Sequence, residues 1–314
     1  MNRKNYIFKG VLPLILAAVS WGVSYFIRKY ITHEIGAFTI ILMYSIAAAT
    51  FLYVIGPSRY TGFFARFSKN WKLLIVMSVL SATVGMSLLN TGLKYMDLGV
   101  ACLLERTQVI FTVIIAAIFL GEKLTNLSIL LGLVGIVAGF FVMPMNSASF
   151  TFNNNWQTPL GAICVISAAF VWAFTTVMSR KLAKDNLRAL DMSMTRAIVG
   201  AVTALPLAFI FEATHHIDSS AFLTALALAG VAGIIAGGIG YSAYYYGLKQ
   251  LSAGVSGMME TFTPLTGVLL GIVFLHEQMS GTQWIAAVIL LVSLAGLIWV
   301  ESRQNHEIGV EPQG

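Results

Sequence analysis

The chain has 314 residues, of which 58% are hydrophobic and only 10% charged, and its formal net charge is +6. Soluble domains carry about 25% charged residues. With a mean hydropathy of +0.82, this composition excludes an ordinary soluble domain or a disordered chain and places the bulk of the sequence in lipid.

Uncharged stretches long enough to cross a hydrocarbon core, which needs roughly 20 apolar helical residues, recur along the chain. They predict ten helices, over 11–28, 37–55, 73–92, 100–120 and 127–144, then 159–179, 192–211, 221–247, 255–275 and 283–300. The uncharged run Leu124 to Ser179 holds two spans, split by the polar turn Met145 to Thr158. The first span is followed by Arg28, Lys29 and a second helix rather than by a small-residue cleavage site, so it is expected to be a span and not a signal peptide. Cys102 and Cys164 fall inside spans and read as small packing residues, not a disulfide. The five histidines form no metal-ligand pattern, and no cofactor motif is present. The run GGIGYSA (Gly237 to Ala243) formally contains a dinucleotide-type glycine spacing, but it lies within a span and not at a strand-to-helix turn. The tail after Val300 reads as a disordered end.

Basic residues orient the helices. With a cytoplasmic N-terminus, inside segments hold 14 of them (Arg59, Arg66 and Lys184 among them), whereas the outside loops hold only Arg28, Lys29 and Lys94. This positive-inside bias predicts a multi-pass protein of the cytoplasmic (inner or plasma) membrane with both termini cytoplasmic. The net positive charge follows from that topology and gives no reason to expect nucleic acid as a partner.

Gly85 to Glu122 aligns without a gap on Gly240 to Glu277, at a constant offset of 155 residues and with 12 identities in 38 positions. The identities include Gly92/Gly247, Glu105/Glu260 and Glu122/Glu277. The chain is therefore an internal duplication. Five spans is an odd number, so the second copy enters the membrane from the opposite side. The expected fold is an all-α integral membrane protein of ten transmembrane helices in two inverted five-helix repeats: residues 1–150, residues 151–302, and a cytoplasmic tail, 303–314. Inverted repeats convert an outward-open cavity into an inward-open one by exchanging the conformations of two similar halves, with substrate bound between them near the midplane.

The pattern resembles the drug/metabolite transporter superfamily, in its ten-helix EamA-type members. The resemblance rests on Trp21-Gly22 with Trp172-Ala173, the helix-end runs FLGEKLT (Phe119 to Thr125) and FLHEQMS (Phe274 to Ser280), and Pro264. It extends over both halves. Two positions depart from the pattern: Val109 stands where the first-half proline often occurs, and Tyr44 occupies the place matched by Arg196. The resemblance implies a transporter whose spans 1, 3, 4, 6, 8 and 9 enclose the pathway. It marks Glu122 and Glu277 as signature positions, although their place at helix ends suits capping or bridging of loops better than ligand binding.

Helical spacing nominates the residues of the pathway. In the fourth span Ala101, Glu105, Gln108, Thr112 and Ala116 form a polar or small stripe, repeated in the ninth as Ser256, Glu260, Thr263, Gly267 and Gly271. The third and eighth spans offer Thr83, Met86 and Asn90 against Gly238, Tyr241 and Tyr245. Trp21 with Ser24, and Trp172 with Thr175, complete a ring. The candidate substrate-binding set is thus Trp21, Ser24, Met86, Asn90, Glu105 and Gln108 from the first half, with Trp172, Thr175, Tyr241, Tyr245, Glu260 and Thr263 from the second. An ionisable residue inside a span costs several kcal/mol unless paired or hydrated, so Glu105 and Glu260 are expected to line a cavity, or else to meet interfacial water, and inversion puts them toward opposite mouths. Arg106 need not pair with Glu105, since adjacent helical residues point about 100° apart. Arg196, near the start of its span, suits an ion pair, snorkelling or substrate contact. Tyr244 and Tyr246 are assigned to packing or lipid. Gly135/Gly139, Gly233/Gly237 and Gly267/Gly271 are small-residue pairs for close helix contact.

These observations lead to a secondary active transporter, not an enzyme, moving small metabolites (amino acids or related amines) by alternating access, in the direction of export. Its partners are the lipid bilayer, a small-molecule substrate and a coupling proton, and the protein is expected to be a monomer or weak homodimer. The alternative is a proton-coupled importer or antiporter of cationic or quaternary amine compounds, held in an aromatic cage of Trp21, Trp172 and Tyr241. A channel is more remote, as is a membrane enzyme, which would need a convergent nucleophile, base or metal set.

Overall fold

The computed structural model describes residues 10–56, 63–120, 125–142, 145–146, 151–152, 156–184, 187–212, 219–250 and 259–307. Glu122, Gly254 and Ser256 lie outside them. Ten helices cross the bundle: α1 (Leu12–Ile31), α2 (Ala37–Val54), α3 (63–95), α4 (98–120), α5 (Asn126–Val142), α6 (Gln157–Lys184), α7 (Ala189–Glu212), α8 (219–250), α9 (Phe262–Leu275) and α10 (Gly281–Glu307). Eight are long and apolar enough to cross a membrane by themselves, and α5 and α9 are shorter apolar helices. A two-stranded antiparallel hairpin, β1 (Met145–Asn146) with β2 (Thr151–Phe152), occupies part of the predicted polar turn between α5 and α6. The helices arise for the reason the composition gave: in lipid, every backbone N–H and C=O must be paired within the segment. Side chains such as Phe209 (70% exposed) and Val292 (65%) form the outer surface, a burden in water but ordinary contact with acyl chains.

The two halves pack as the duplication requires, each element against its repeat equivalent or a partner related to it: α2 on α7, α4 on α9, α5 on α10, α3 on α6 and α8 on α1. Glycines set the approach. Gly92 lets α3 close on Val165 and the Gly161 carbonyl of α6, and its equivalent Gly247 lets α8 close on Leu14 of α1 and the Gly10 carbonyl just before it. Gly233 and Gly237 face Tyr44 and Ala48, and Gly135 faces Ile110 and Ser293, the close contacts expected of those pairs. Cys102 and Cys164 are free and buried.

Three differences from the predicted elements matter. First, α3 begins at Phe63, well before residue 73, because the basic segment continues the helix through a kink at Asn70 (φ −127°, ψ 20°). Arg66 on that segment grips Asp191 at the start of α7 with two bonds of 2.6 and 3.0 Å. Second, α10 continues to Glu307, past its expected end at Val300. Third, α3 and α8 each contain a π-helical stretch, Val79–Val84 and Gly233–Gly240. The repeat offset superimposes these stretches. A π turn inserts residues into the i→i−4 ladder and rotates everything beyond it, so stripes projected along these spans from an unbroken helix lose register.

The candidate transport cavity

The site is built on a break in α4. The helix runs from Leu98 to Glu105 and resumes at Gln108. Across the gap the bonds shorten to i→i−3, Arg106 N–H to Leu103 O (3.2 Å) and Thr107 N–H to Leu104 O (3.0 Å). The local twist exceeds that of an α-helix, and the two adjacent side chains turn toward each other. Arg106 Nε donates to Glu105 Oε2 at 2.8 Å, and Nη2 donates to the same oxygen. The expectation that the two need not pair assumed an unbroken helix. The same interruption recurs in the second half, where Met259 and Glu260 are helical, Thr261 is not, and α9 starts at Phe262.

Arg106 Nη1 reaches the second-half glutamate too, donating to Glu260 Oε2 at 3.3 Å and to its carbonyl at 3.2 Å. Glu105, Arg106 and Glu260 are 1%, 3% and 7% exposed. The glutamates therefore share one guanidinium and do not stand at opposite mouths. Inversion fixed their relation to the ends of their helices, but both helices dip into the same central space. A buried acid–base–acid group is costly to desolvate, and removing one partner typically costs about 3–5 kcal/mol.

Around this group lies a cavity of about 40 Å³, room for a few water molecules. Of the predicted set, Trp21, Glu105, Gln108 and Trp172 line it, with Thr175, Tyr241, Tyr245 and Glu260. Its walls come from α1, α3, α4, α6 and α8, with Glu260 just before α9. Trp21 meets Tyr241 and Tyr244 at centroid distances of 5.2 and 5.1 Å, and Trp172 stacks on Tyr25 at 6.5 Å. Trp172 donates to the Ser81 carbonyl at 3.1 Å.

The other four candidates lie elsewhere. Ser24 and Thr263 are wholly buried with hydroxyls that have no partner among the described residues. Met86 places its sulfur 3.3 Å from Arg196 Nη2, and Asn90 accepts from Arg28 Nη1 at 2.8 Å. Gly267 and Gly271 of the ninth-span stripe pack against Cys102 and Glu277, so only the upper part of that stripe approaches the cavity. Arg28, expected in an outside loop, belongs to α1 and is 2% exposed. Arg196 is also 2% exposed. It does not snorkel, it meets no carboxylate among the described residues, and its guanidinium lies 3.7 Å from the Tyr241 ring centroid.

Sequence reasoning missed Tyr25, Ser81, Arg106, Thr176, Ser179 and Tyr244 as lining residues. Tyr25 and Thr176 sit one residue beyond Ser24 and Thr175, a signal within reach had a wider helical face been allowed. Tyr244 was assigned to packing or lipid, and the π stretch before it turns it inward. Tyr246, 43% exposed, fits the lipid assignment.

Both ends of the bundle are tied across the halves. Glu277, turned back by left-handed His276 (φ 54°), accepts the N–H groups of Leu98 (2.5 Å) and Gly99 (2.9 Å) at the start of α4. This is the capping role expected of it. Burial pushes its carboxyl up from the ordinary value, against the pull of those two donors. Glu212 does the same for α2, accepting from Phe38 N and Thr39 N at 2.8 Å and from Thr39 Oγ1 at 2.7 Å. Lys29 donates to Met96 O at 2.7 Å at that end, and Arg66 with Asp191 closes the other.

The model of the EamA-like transporter family matches residues 8–144 and again 159–299. The chain belongs to that family. It is similar to an uncharacterized transporter, YoaV, of Bacillus subtilis (strain 168), 26% identical over 87% of this chain and 90% of the relative. It also resembles a probable amino-acid metabolite efflux pump of Escherichia coli (strain K12), 24% identical over 95% of this chain and 97% of that protein. A solved crystal structure of a protein superposes with a TM-score of 0.68 at 17% identity, over 93% of this chain and 97% of that one. The two named relatives carry transporter and efflux-pump names, which agrees with the multi-pass, two-repeat architecture.

Proposed function

We propose that the protein is a secondary active exporter of small amphiphilic metabolites, amino acids or their relatives, working by alternating access across the cytoplasmic membrane with both termini inside. The observation that carries this reading is the cavity itself. It lies between duplicated halves, is walled by equivalent tryptophans and holds one glutamate from each half on a single arginine. Discontinuous helices meeting at a central site are the construction of alternating-access carriers. With room for only a few waters, the cavity is occluded, and admitting a metabolite requires the ties at one end to part. The cross-half caps and the Arg66–Asp191 pair are the contacts to be exchanged. The similarity to a protein named an amino-acid metabolite efflux pump supports the substrate class and the direction.

Protonation of Glu105 or Glu260 would loosen the hold of Arg106 on that half, coupling a proton to which half moves. The cationic-amine alternative is less well supported. Arg196 already covers a face of Tyr241, so a cation with no carboxylate of its own would meet that guanidinium at the aromatic wall.

The test is flux of radiolabelled amino acids in sealed vesicles, with and without an imposed pH gradient. Wild type is expected to transport and to respond to the gradient, and Glu105→Gln/Glu260→Gln to lose both while remaining folded. Full, pH-responsive transport by the double variant would exclude the glutamates as coupling groups. Orientation is tested separately: a cysteine replacing Asn154 should react with an impermeant external thiol reagent, and one replacing Lys184 should not.

A further inference from the structure

Arg28 and Arg196 set a problem that the transport reading leaves open. Both are 2% exposed inside the bundle, and among the described residues neither has a carboxylate within ion-pair distance, in contrast to Arg106 and Arg66. Arg28 makes one strong bond, to Asn90. Arg196 makes long bonds from Nη2 to Ser81 O at 3.4 Å and to Met86 Sδ at 3.3 Å, with the Tyr44 hydroxyl also beside it. The Nε of each is buried with no acceptor. An unpaired charge inside a membrane protein costs several kcal/mol. Cation–π contact with Tyr241 for Arg196, and with Tyr25 at 4.8 Å for Arg28, offsets part of that cost and leaves the donors unmet. The three central guanidiniums face two carboxylates, so one positive charge is left over.

The two arginines are near neighbours. Arg28 lies 6.0 Å from the Tyr44 ring, and the Tyr44 side chain also neighbours Arg196. Both also touch the wall of the cavity, since Tyr25, Tyr241 and Ser81 line it. A free Nε beside an Nη is the edge with which arginine grips a carboxylate in a planar, two-bonded fit.

We propose that Arg28 and Arg196 form the subsite for the carboxylate of the transported molecule, reached when Tyr25 or Tyr241 swings aside as the cavity opens. The substrates are then small carboxylates, whether zwitterionic amino acids or organic acids, and not simple amines. For a zwitterion the ammonium end falls toward Glu105 and Glu260. This inference rests on the transport reading of the same cavity and names the group that the cavity selects.

The test uses full-length protein in lipid nanodiscs and four matched probes: phenylalanine, phenylpropionate, phenylalaninamide and phenethylamine. Isothermal titration should show binding of the first two and affinity at least about 10-fold weaker for the amide and the amine, the scale of a lost charged hydrogen bond. Arg196→Gln and Arg28→Gln should abolish that discrimination. Arg196→Lys, which keeps the charge but loses the planar edge, should reduce it and serves if a glutamine variant fails to fold. Equal affinity of wild type for acid, amide and amine, or binding of none, overturns the proposal. Vesicle flux of the same probes separates the two readings. Equal flux of acid and amine removes the carboxylate subsite and leaves transport standing, whereas carboxylate-selective binding without flux of any probe removes transport and leaves the subsite.

Discussion

The two halves carry the same glutamate at the same point of the same broken helix, yet Glu105 is followed by Arg106 and Glu260 by Thr261. One half supplies the cation and both use it. Elsewhere the asymmetry is reversed: the second half contributes Arg196, and the first offers Tyr44 at the matching place, beside it. Even the equivalent tryptophans differ, since Trp172 donates to Ser81 O while Trp21 Nε1 has no partner among the described residues. Duplication thus supplied the frame, and divergence at a few buried positions gave the centre its polarity. With a threonine after the glutamate in both halves, as at Thr261, the centre would hold two like charges with nothing between them. One arginine between two carboxylates lets a single event on either acid favour one half over the other.

The comparison is broken most severely at Arg106. Arg106→Met leaves two buried carboxylates without a cation, and stability should fall by about 3–5 kcal/mol, read as a lower thermal midpoint in detergent. The triple variant Glu105→Gln/Arg106→Met/Glu260→Gln should recover most of it, because no charge remains to be desolvated. Failure of that recovery would mean that Arg106 stabilises by packing alone. Glu105→Gln is expected to cost more than Glu260→Gln, since Arg106 makes its shorter bonds to Glu105.

The tryptophan walls give a subtler contrast. Gly85 and Gly240 are repeat equivalents, each beneath a wall tryptophan. A Cβ on Gly85 would meet Trp172 Nε1 at 2.5 Å, whereas one on Gly240 would meet Ser20 Cβ at 3.2 Å and Trp21 Nε1 at 3.4 Å. Gly85→Ala should therefore destabilise by about 1–3 kcal/mol, the usual range for overpacking, and lower transport by displacing Trp172, with Gly240→Ala milder in both assays.

Smaller effects are expected at the caps. Glu212→Ala and Glu277→Ala should each cost about 0.5–2 kcal/mol, with Glu212 the larger because it accepts three bonds to the two of Glu277. Least of all is a pH effect at Glu277. Its carboxyl is raised in the folded protein, so folding takes up protons there and the associated stability is greatest below the unfolded value of about 4.3. It is lost as pH rises through the raised folded value. The stability of wild type relative to Glu277→Gln should decline over that interval, and a rise would mean that the two N–H donors outweigh burial.

Much of the fold was legible in the sequence because it follows from local rules. Hydropathy fixes a span, an odd number of spans fixes inversion, and a gap-free offset pairs α4 with α9. Eight of the twelve nominated residues line the cavity for the same reason: Glu105, Gln108, Trp172 and Thr175 lie on helix faces that spacing reveals. What the sequence could not announce were the π stretches in α3 and α8 and the interruption after each glutamate. Those depend on backbone bonds being given up locally and compensated by packing against another helix, as with Gly233 on Tyr44. Where such a break falls, side-chain direction departs from the 3.6-residue period, so Tyr244 turns inward and Arg106 turns onto Glu105. Charge partners were likewise a tertiary matter. Arg28 is 62 residues from Asn90, and Arg106 is 154 from Glu260. Sequence determined which charges enter the membrane, and only the packing of the two halves decided which of them would meet.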